Sequence, residues 1–186
     1  MALEFIEFLS RINDRRRAQG KKWKLEKLLF ATILALLSGA TSYRKVHRYI
    51  KANREKFNDA FGFNWDEAPA YSSVRFVLQG LDAQELESKF REHSAQLSGR
   101  EAVGDIESMQ ALAIDGKVLR HSFDAFNDQK AIHLLTVFAA DEALILGHLQ
   151  IDEKSNEIPA APAIIRELGL EGRLFTLDAL HCQKNI

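Results

Sequence analysis

The spacing of the apolar residues changes about halfway along the chain. Up to residue 97, apolar residues recur at steps of three and four, which is the period of amphipathic helices. From residue 109 onward they form short runs or alternate with polar residues, as strands do. Between the two halves, "SGREAVGDIES" (residues 98–108) has two glycines, mixed charge and no apolar period. We therefore predict an α+β chain, with a helical domain at residues 1–100 and an α/β domain at residues 109–186.

Three segments of the first half predict longer helices. In "ALEFIEFLSRI" the apolar residues lie at steps of three, at Leu3, Ile6, Leu9 and Ile12. "LEKLLFATILALLSG" is apolar nearly all round and stops at Gly39, which is typical of a buried central helix. "SYRKVHRYIKANREKF" predicts one amphipathic helix, whose apolar stripe consists of Tyr43, Val46, Ile50 and Phe57.

Two shorter helices are expected after Pro69. "SSVRFVLQG" is predicted to begin at Ser72 or Ser73. "DAQELESKFREHSAQL" begins with Asp82 and Glu85 at the spacing of a capping box. Its expected buried residues are Leu86, Phe90 and Leu97. Two short helices around a turn permit a helix-turn-helix motif, but helical spacing alone does not establish one.

The second half predicts the order strand, strand, strand, helix, strand. The strands are "QALAIDGKVL", "AIHLLTVFAAD", "ALILGHLQID" and "GRLFTLDAL", with a tight hairpin turn at Asp141 and Glu142 between the second and third. "NEIPAAPAIIRELG" lies before the last strand and predicts a helix. Because a crossover helix joins parallel strands, we expect a mixed sheet with an antiparallel hairpin on one side.

Charge is distributed unevenly between the halves. Residues 1–58 contain 14 lysines and arginines against 5 acidic residues, whereas the remainder contains 11 against 21. A basic half beside an acidic half indicates a polyanion-binding module attached to a carboxylate-rich region. The alternative is two surfaces of opposite sign that dock on each other.

Two groups of cations are candidates for phosphate contacts. The first surrounds Trp23 and consists of Arg15, Arg16, Arg17, Lys21, Lys22 and Lys24. The second projects from the predicted amphipathic helix and consists of Arg44, Lys45, Arg48 and Lys51. Such contacts position DNA without reading its sequence. For the first group, the alternative is a solvated loop.

Two aspartates follow apolar strand segments. In "QALAIDGK", Asp115 is expected at the carboxyl end of the first strand, where Gly116 turns the chain away, and in "RLFTLDAL", Asp178 lies near the end of the last strand. If these strands are neighbours, the carboxylates converge at the sheet edge where α/β folds bind ligands. Such a pair suits Mg²⁺. The alternative is that each aspartate forms a turn or a cap.

The motifs "IDGK", "EKSNEI" and "DALHCQ", in this order and spacing, resemble the H-repeat-associated family of bacterial insertion-sequence transposases. "FLSRINDRRRAQGKKWKLEKLLFATILALLSGATSY" also resembles the helical region associated with that family. The resemblance covers nearly the whole chain. It implies a DDE transposase with an RNase H-like fold, in which Mg²⁺ or Mn²⁺ supports DNA cleavage and strand transfer.

By this resemblance, Asp115 is the first catalytic acid and metal ligand, and Asp178 is the second. The third acid of the family is a glutamate well downstream, so we expect a C-terminally truncated chain that is inactive alone. A two-metal site is expected only if that acid is supplied. Val118 and His121 depart from the family pattern after "DGK". One of Asp152, Glu153 and Glu157 is a candidate substitute for the glutamate, although the expectation is that they cap the next helix and line the entrance of the pocket.

The expected partners are double-stranded DNA and either a second copy of the chain or full-length transposase. One alternative function is a non-catalytic DNA-binding remnant or regulator, and another is a split enzyme completed by a second chain. The remaining candidates, His133, His148, His181 and Cys182, are expected to have strand, turn or packing roles. The longest apolar run, about 13 residues from Leu28, is too short to span a bilayer. We therefore expect no membrane association and a bacterial cytoplasmic location.

Overall fold

The computed structural model describes residues 2–97, 111–119, 132–151, 157–170 and 173–178. The chain divides into two compact units, Met1–Lys89 and Phe90–Ile186. This division falls inside a helix, and the domain boundary predicted at residues 98–108 lies outside the described residues. The observed order of helices and strands is α+β, as the periodicity predicts.

The first unit is helical. Its elements are α1 (Ala2–Leu9), a short 3-10 turn (Ala18–Gly20), α2 (Leu25–Leu37), α3 (Tyr43–Ala52), α4 (Arg54–Phe61), α5 (Tyr71–Gln79) and the start of α6 (Ala83–Leu97). Helix α2 packs against α1 and α3, and α3 packs against α5. The unit is therefore built around α2 and α3.

Helix α2 is the buried central helix that the sequence predicts. Its buried residues lie on several sides of the helix and include Leu28, Phe30 and Ala31. Gly39 has a φ of +87°, and the amide of Ala40 donates to the carbonyl of Ala35 at 2.9 Å. This is a Schellman ending, in which a glycine takes the left-handed conformation that other residues avoid.

Several details of the helical unit differ from the prediction. Leu3 is 67% exposed, and the buried residues of α1 are Phe8 and the predicted Leu9. The amphipathic helix is divided at Asn53, whose side-chain amide donates to the carbonyl of Tyr49, so Phe57 belongs to α4. The apolar stripe itself is confirmed at Val46, Ile50 and Phe57, each at most 2% exposed.

The start of α5 and the packing of α6 also differ. Helix α5 begins at Tyr71 with Ala70 as its N-cap, so neither predicted serine caps it. Asp82 caps α6 as predicted, because its carboxylate accepts from the amides of Gln84 and Glu85. The carboxylate of Glu85 points elsewhere, and the reciprocal half of a capping box is absent from the interactions described. Leu86 and Leu97 are 39% and 62% exposed, since α6 buries the small Ser94.

The second unit contains a mixed sheet. Its strands are β1 (Ala111–Val118), β2 (His133–Ala139), β3 (Leu144–Ile151) and β4 (Leu174–Leu177), in the order β3-β2-β1-β4. Helix α7 (Glu157–Glu167) lies between β3 and β4 in the chain. Strand β1 pairs antiparallel with β2 and parallel with β4, and β2 pairs antiparallel with β3. The predicted mixed sheet, hairpin and parallel direction are confirmed.

One face of the sheet is covered by α7. Leu112, Leu135 and Val137 from the strands form a buried cluster with Ala161 and Ile164 from the helix. The alternation of "ALAID" follows this packing, because Leu112 and Ile114 point into the cluster while their neighbours point to the opposite face. The candidate aspartates therefore lie on the face that α7 does not cover.

The hairpin turn occupies the predicted place. Residues 140–143 form the turn, and the amide of Ala143 donates to the carbonyl of Ala140 at 3.2 Å. On β3, the second half of α6 approaches closely at Gly147. A Cβ built there would lie 3.1 Å from Nε of Arg91, whose guanidinium donates to the carbonyl of His148 and to Glu167. Glycine thus makes room for a side chain that joins α6, β3 and α7.

Candidate functional site

Asp115 lies in the middle of β1, which corrects the prediction that it ends the strand. Gly116 does not turn the chain, because β1 continues to Val118 and pairs with β2 throughout. The pairing of β1 with β4 is shorter and its last pair is Ile114 with Leu177. Asp115 is the next residue of β1, and Asp178 is the first residue after β4. They therefore follow directly where the parallel ladder ends.

The register of the parallel strands puts the two aspartates on one face. Ala113 pairs with Thr176, and two residues further along each strand are Asp115 and Asp178. Because side chains alternate along a strand, both share the face of that pair. Neighbouring strands are about 4.8 Å apart. Both side chains are exposed. The first and last strands are neighbours, as the prediction requires, and the convergence of the two carboxylates stays a prediction.

Lys117, the lysine of "IDGK", lies beside Asp115 and was not among the predicted site residues. Its Nζ lies 3.4 Å from Oδ2 of Asp115, and both side chains are largely exposed. The signal was present in the sequence, because residues two apart on a strand share a face. An exposed pair of this kind contributes little to stability. Its consequence is electrostatic, since an ammonium stands beside the carboxylate on the open face.

The chemistry of the pair fits a hard divalent cation. Mg²⁺ is held by one or two carboxylates and keeps water or phosphate oxygens in its remaining positions. Within the ranges that the structure describes, no group of three or more histidine, cysteine or acidic residues has metal-binding geometry. A metal role for Asp115 and Asp178 therefore stays a prediction.

The other candidates around this face are partly described. Val118 is 52% exposed. His133 and His148 are strand residues, as expected, and the ring of His148 lies 5.2 Å from that of Phe90. His121, Asp152, Glu153, His181, Cys182 and the side chain of Glu157 lie outside the described residues, so their predicted roles stay predictions.

Arg16 holds the loop between α1 and α2 together. Its Nε and one terminal nitrogen each donate to a carboxylate oxygen of Asp14 at 2.8 Å. The terminal nitrogens also donate to the carbonyls of Gly20 and Trp23 at 2.9 Å. The side chain is only 9% exposed. The structure thus gives Arg16 a role within the loop, with its donors directed at the protein.

The neighbouring cations are engaged to different degrees. Arg15 is 58% exposed and pairs with Asp82 at 2.9 Å and Glu85 at 3.3 Å. Lys21 donates to the carbonyl of Asp14 at 2.9 Å. Lys22 forms an ion pair with Glu67 and lies 5.0 Å from the ring centroid of Trp23. Arg17 is exposed and has no ion pair among the described residues.

Helix α3 presents its cations outward. Ser42 caps the helix by accepting from the amide of Lys45, and Val46 and Ile50 fix which side is buried. On the other side, the exposed residues are Arg44, Lys45, Arg48 and Lys51. Nζ of Lys45 contacts the hydroxyl of Thr41 at 3.0 Å. In the part of the chain that is described, none of the four forms an ion pair, so α3 carries a cationic face on a rigid support.

Two carboxyl groups of the loop region have pKa values below their ordinary range. Hydrogen bonds from Arg16 lower the pKa of Asp14, and burial opposes that effect. For Asp82, the amide of Glu85 is the largest cause of the lowered pKa, and Arg15 adds to it. Both carboxylates therefore remain ionised well below neutral pH.

None of the described helices has the length and apolar character that a membrane crossing requires.

Comparison with known proteins finds similarity to transposases. Residues 6–94 match the model of the DDE_Tnp_1-associated domain. The "H repeat-associated putative transposase YhhI" of Escherichia coli strain K12 is 30% identical over 183 residues, which are 98% of this chain and 47% of YhhI. The chain is thus similar over nearly its whole length to an H repeat-associated putative transposase. "Putative protein YbfL" of the same strain is 31% identical, with the same coverage of both chains. The chain spans about half the length of these relatives.

A solved structure with a weak overall likeness is the cryo-EM structure of the piggyBac transposase synaptic complex with hairpin DNA. It has a TM-score of 0.34 and 12% sequence identity, and the match covers 90% of this chain and 39% of that chain. At this TM-score the likeness carries no detail of the fold. The assignment to the H repeat-associated relatives rests on sequence.

Proposed function

We propose that these 186 residues bind double-stranded DNA through the helical unit and supply two of the metal-binding carboxylates of a DDE transposase. The observation that supports the proposal is the register of β1 and β4, whose last pair, Ile114 and Leu177, is followed directly by Asp115 and Asp178. Similarity to the H repeat-associated putative transposase YhhI supports transposition as the reaction, and the exposed cations of α3 support DNA as the substrate.

The reaction proposed for the complete site is phosphodiester cleavage followed by strand transfer. Water attacks a phosphorus atom at the end of the element, and the bond to the 3′ oxygen breaks to leave a 3′-hydroxyl. That hydroxyl then attacks a phosphorus atom of the target DNA and displaces a 3′ oxygen there. Divalent ions, when bound, would activate the attacking oxygen and stabilise the leaving one. Asp115 and Asp178 would hold these ions, on an RNase H-like scaffold.

Two carboxylates are fewer than the three acids of a DDE site. The proposal is therefore that these residues alone bind DNA without cutting it, as a remnant or a regulator would, and that cleavage needs a third acid. Strand β4 is at the edge of the sheet in the part of the chain described. An open strand edge can pair with another chain. Association with a second copy or with full-length transposase is part of the proposal, and light scattering would measure it.

Metal binding tests the carboxylate pair directly. Titration with Mn²⁺, followed by electron paramagnetic resonance, should show binding that is lost in both Asp115→Asn and Asp178→Asn. Asp141→Asn is the matched control, because Asp141 is an exposed acid in the hairpin turn of the same sheet. Equal Mn²⁺ binding by the unaltered protein and all three variants would show that Asp115 and Asp178 do not hold the metal. DNA binding is measured separately, so that this result does not bear on it.

A further inference from the structure

The helical unit contains a cavity that the proposed DNA-binding surface does not explain. Its volume is about 520 Å³, and it lies between the loop after α1 and the residues that join α5 to α6. This volume is within the range of about 300–1,000 Å³ that is usual for small-molecule sites. Ile12, Leu25 and Val77 give it an apolar floor, and each is at most 6% exposed.

The charged groups in the walls of the cavity are paired with one another. Three carboxylates line it, those of Asp14, Asp82 and Glu85. Each forms an ion pair with Arg15 or Arg16, so these two arginines leave no unpaired positive charge in the walls. A phosphate is therefore not attracted into the cavity, whereas a neutral group can enter without disturbing these pairs.

The rim has a different character from the walls. Phe76 borders the cavity with 69% of its surface exposed, although large aromatic side chains usually find partners. Arg17 also borders the cavity and is exposed. Arg17 forms no ion pair among the described residues. A partly apolar cavity thus opens beside an exposed aromatic ring and an exposed arginine.

We propose that this cavity accepts one unpaired base of bound DNA, stacked against Phe76, with an adjacent phosphate at Arg17. The two parts of a nucleotide match two parts of this site. The flat, neutral base fits the cavity and can stack on the ring of Phe76, and the anionic phosphate can pair with Arg17 at the rim. The inference rests on the proposed DNA binding and adds a preference for unpaired nucleotides to it.

The test compares two labelled duplexes that differ by a single unpaired adenine, with affinities measured by fluorescence anisotropy. The intact protein should bind the duplex with the extra adenine about tenfold more tightly, which is the size of one base–aromatic stack. Phe76→Leu should remove that preference and leave binding of the paired duplex unchanged. Leu37→Ala is the control, because Leu37 is 79% exposed and lies outside the cavity lining.

The outcomes separate this inference from the proposed function. Equal affinity of the intact protein for both duplexes, or a preference that survives in Phe76→Leu, would overturn the base pocket while leaving DNA binding in place. Failure to bind either duplex would overturn both. Because Phe76 is exposed, its replacement should keep the fold, and urea unfolding followed by the fluorescence of Trp23 and Trp65 checks this.

Discussion

The cationic loop at residues 14–24 and helix α3 are both rich in lysine and arginine, yet their side chains have different surroundings. In the loop, Arg16 is largely buried among acceptors, and Arg15 and Lys22 form ion pairs. On α3, the four exposed cations form no ion pair among the described residues. Positive charge in a sequence is therefore not equivalent to positive charge available to DNA. We propose that Arg15, Arg16 and Lys22 mainly stabilise the loop and that α3 supplies most of the DNA contacts.

The largest expected effect is on stability. Arg16→Ala removes a paired guanidinium and leaves the carboxylate of Asp14 and two carbonyls without donors. Breaking such a pair costs roughly 3 kcal/mol where the groups are buried, and somewhat less here because Asp14 is partly solvated. Urea unfolding followed by tryptophan fluorescence reports on the helical unit, since both tryptophans lie in it. Arg48→Ala is the control, and an equal loss of stability in both variants would erase the contrast.

The second effect is on DNA affinity. Replacing Arg44 and Arg48 together by glutamine should weaken binding and lower the slope of log affinity against log salt by about 2, because each phosphate contact contributes about 0.9. Arg15→Gln should change the slope less, since Asp82 and Glu85 already pair with that side chain. A larger change from Arg15 than from the α3 pair would reverse the assignment.

The third and smallest effect is on acid stability. Since the folded-state pKa of Asp14 is depressed, its contribution to stability is complete above its ordinary value of about 3.9 and is lost as the pH falls through the lower, folded value. Asp14→Asn should therefore lower the urea midpoint at neutral pH and make it less dependent on pH below about 4. An unchanged acid dependence would mean that the Arg16 pair does not persist in solution.

The sequence predicted the arrangement of α3 better than that of the cationic loop, for physical reasons. Amphipathic spacing identified the buried side of α3, because Val46 and Ile50 mark it directly. The engagement of Arg16 was not visible, because two of its acceptors are carbonyl oxygens of the main chain. Lys27 is a similar case, since its ammonium donates to the carbonyls of Gly62 and Phe63. The number of cations in a sequence does not show which of them stabilise the fold and which are available to DNA.

The carboxylate site shows the same division. Alternation along "ALAID" and "LFTLD" predicted which residues share a face, and the structure has that arrangement. The predicted end of β1 was wrong, because Gly116 was interpreted as a turn. Strand length here depends on β2, whose residues pair with β1 as far as Val118. Where a strand ends depends on its pairing with strands that are distant in the chain. The local pattern of apolar residues does not contain this information.

The central claim is that these residues bind DNA but do not cut it alone, and one cleavage experiment tests it most directly. A labelled duplex carrying the terminal repeats of the element is incubated with the 186-residue protein and Mg²⁺ or Mn²⁺, with Asp178→Ala alongside and binding recorded in the same samples. The account predicts that both proteins bind and neither cuts. Cleavage that disappears in Asp178→Ala would contradict it and show that a third ligand lies within these residues, with Glu153 and Glu157 the first to replace.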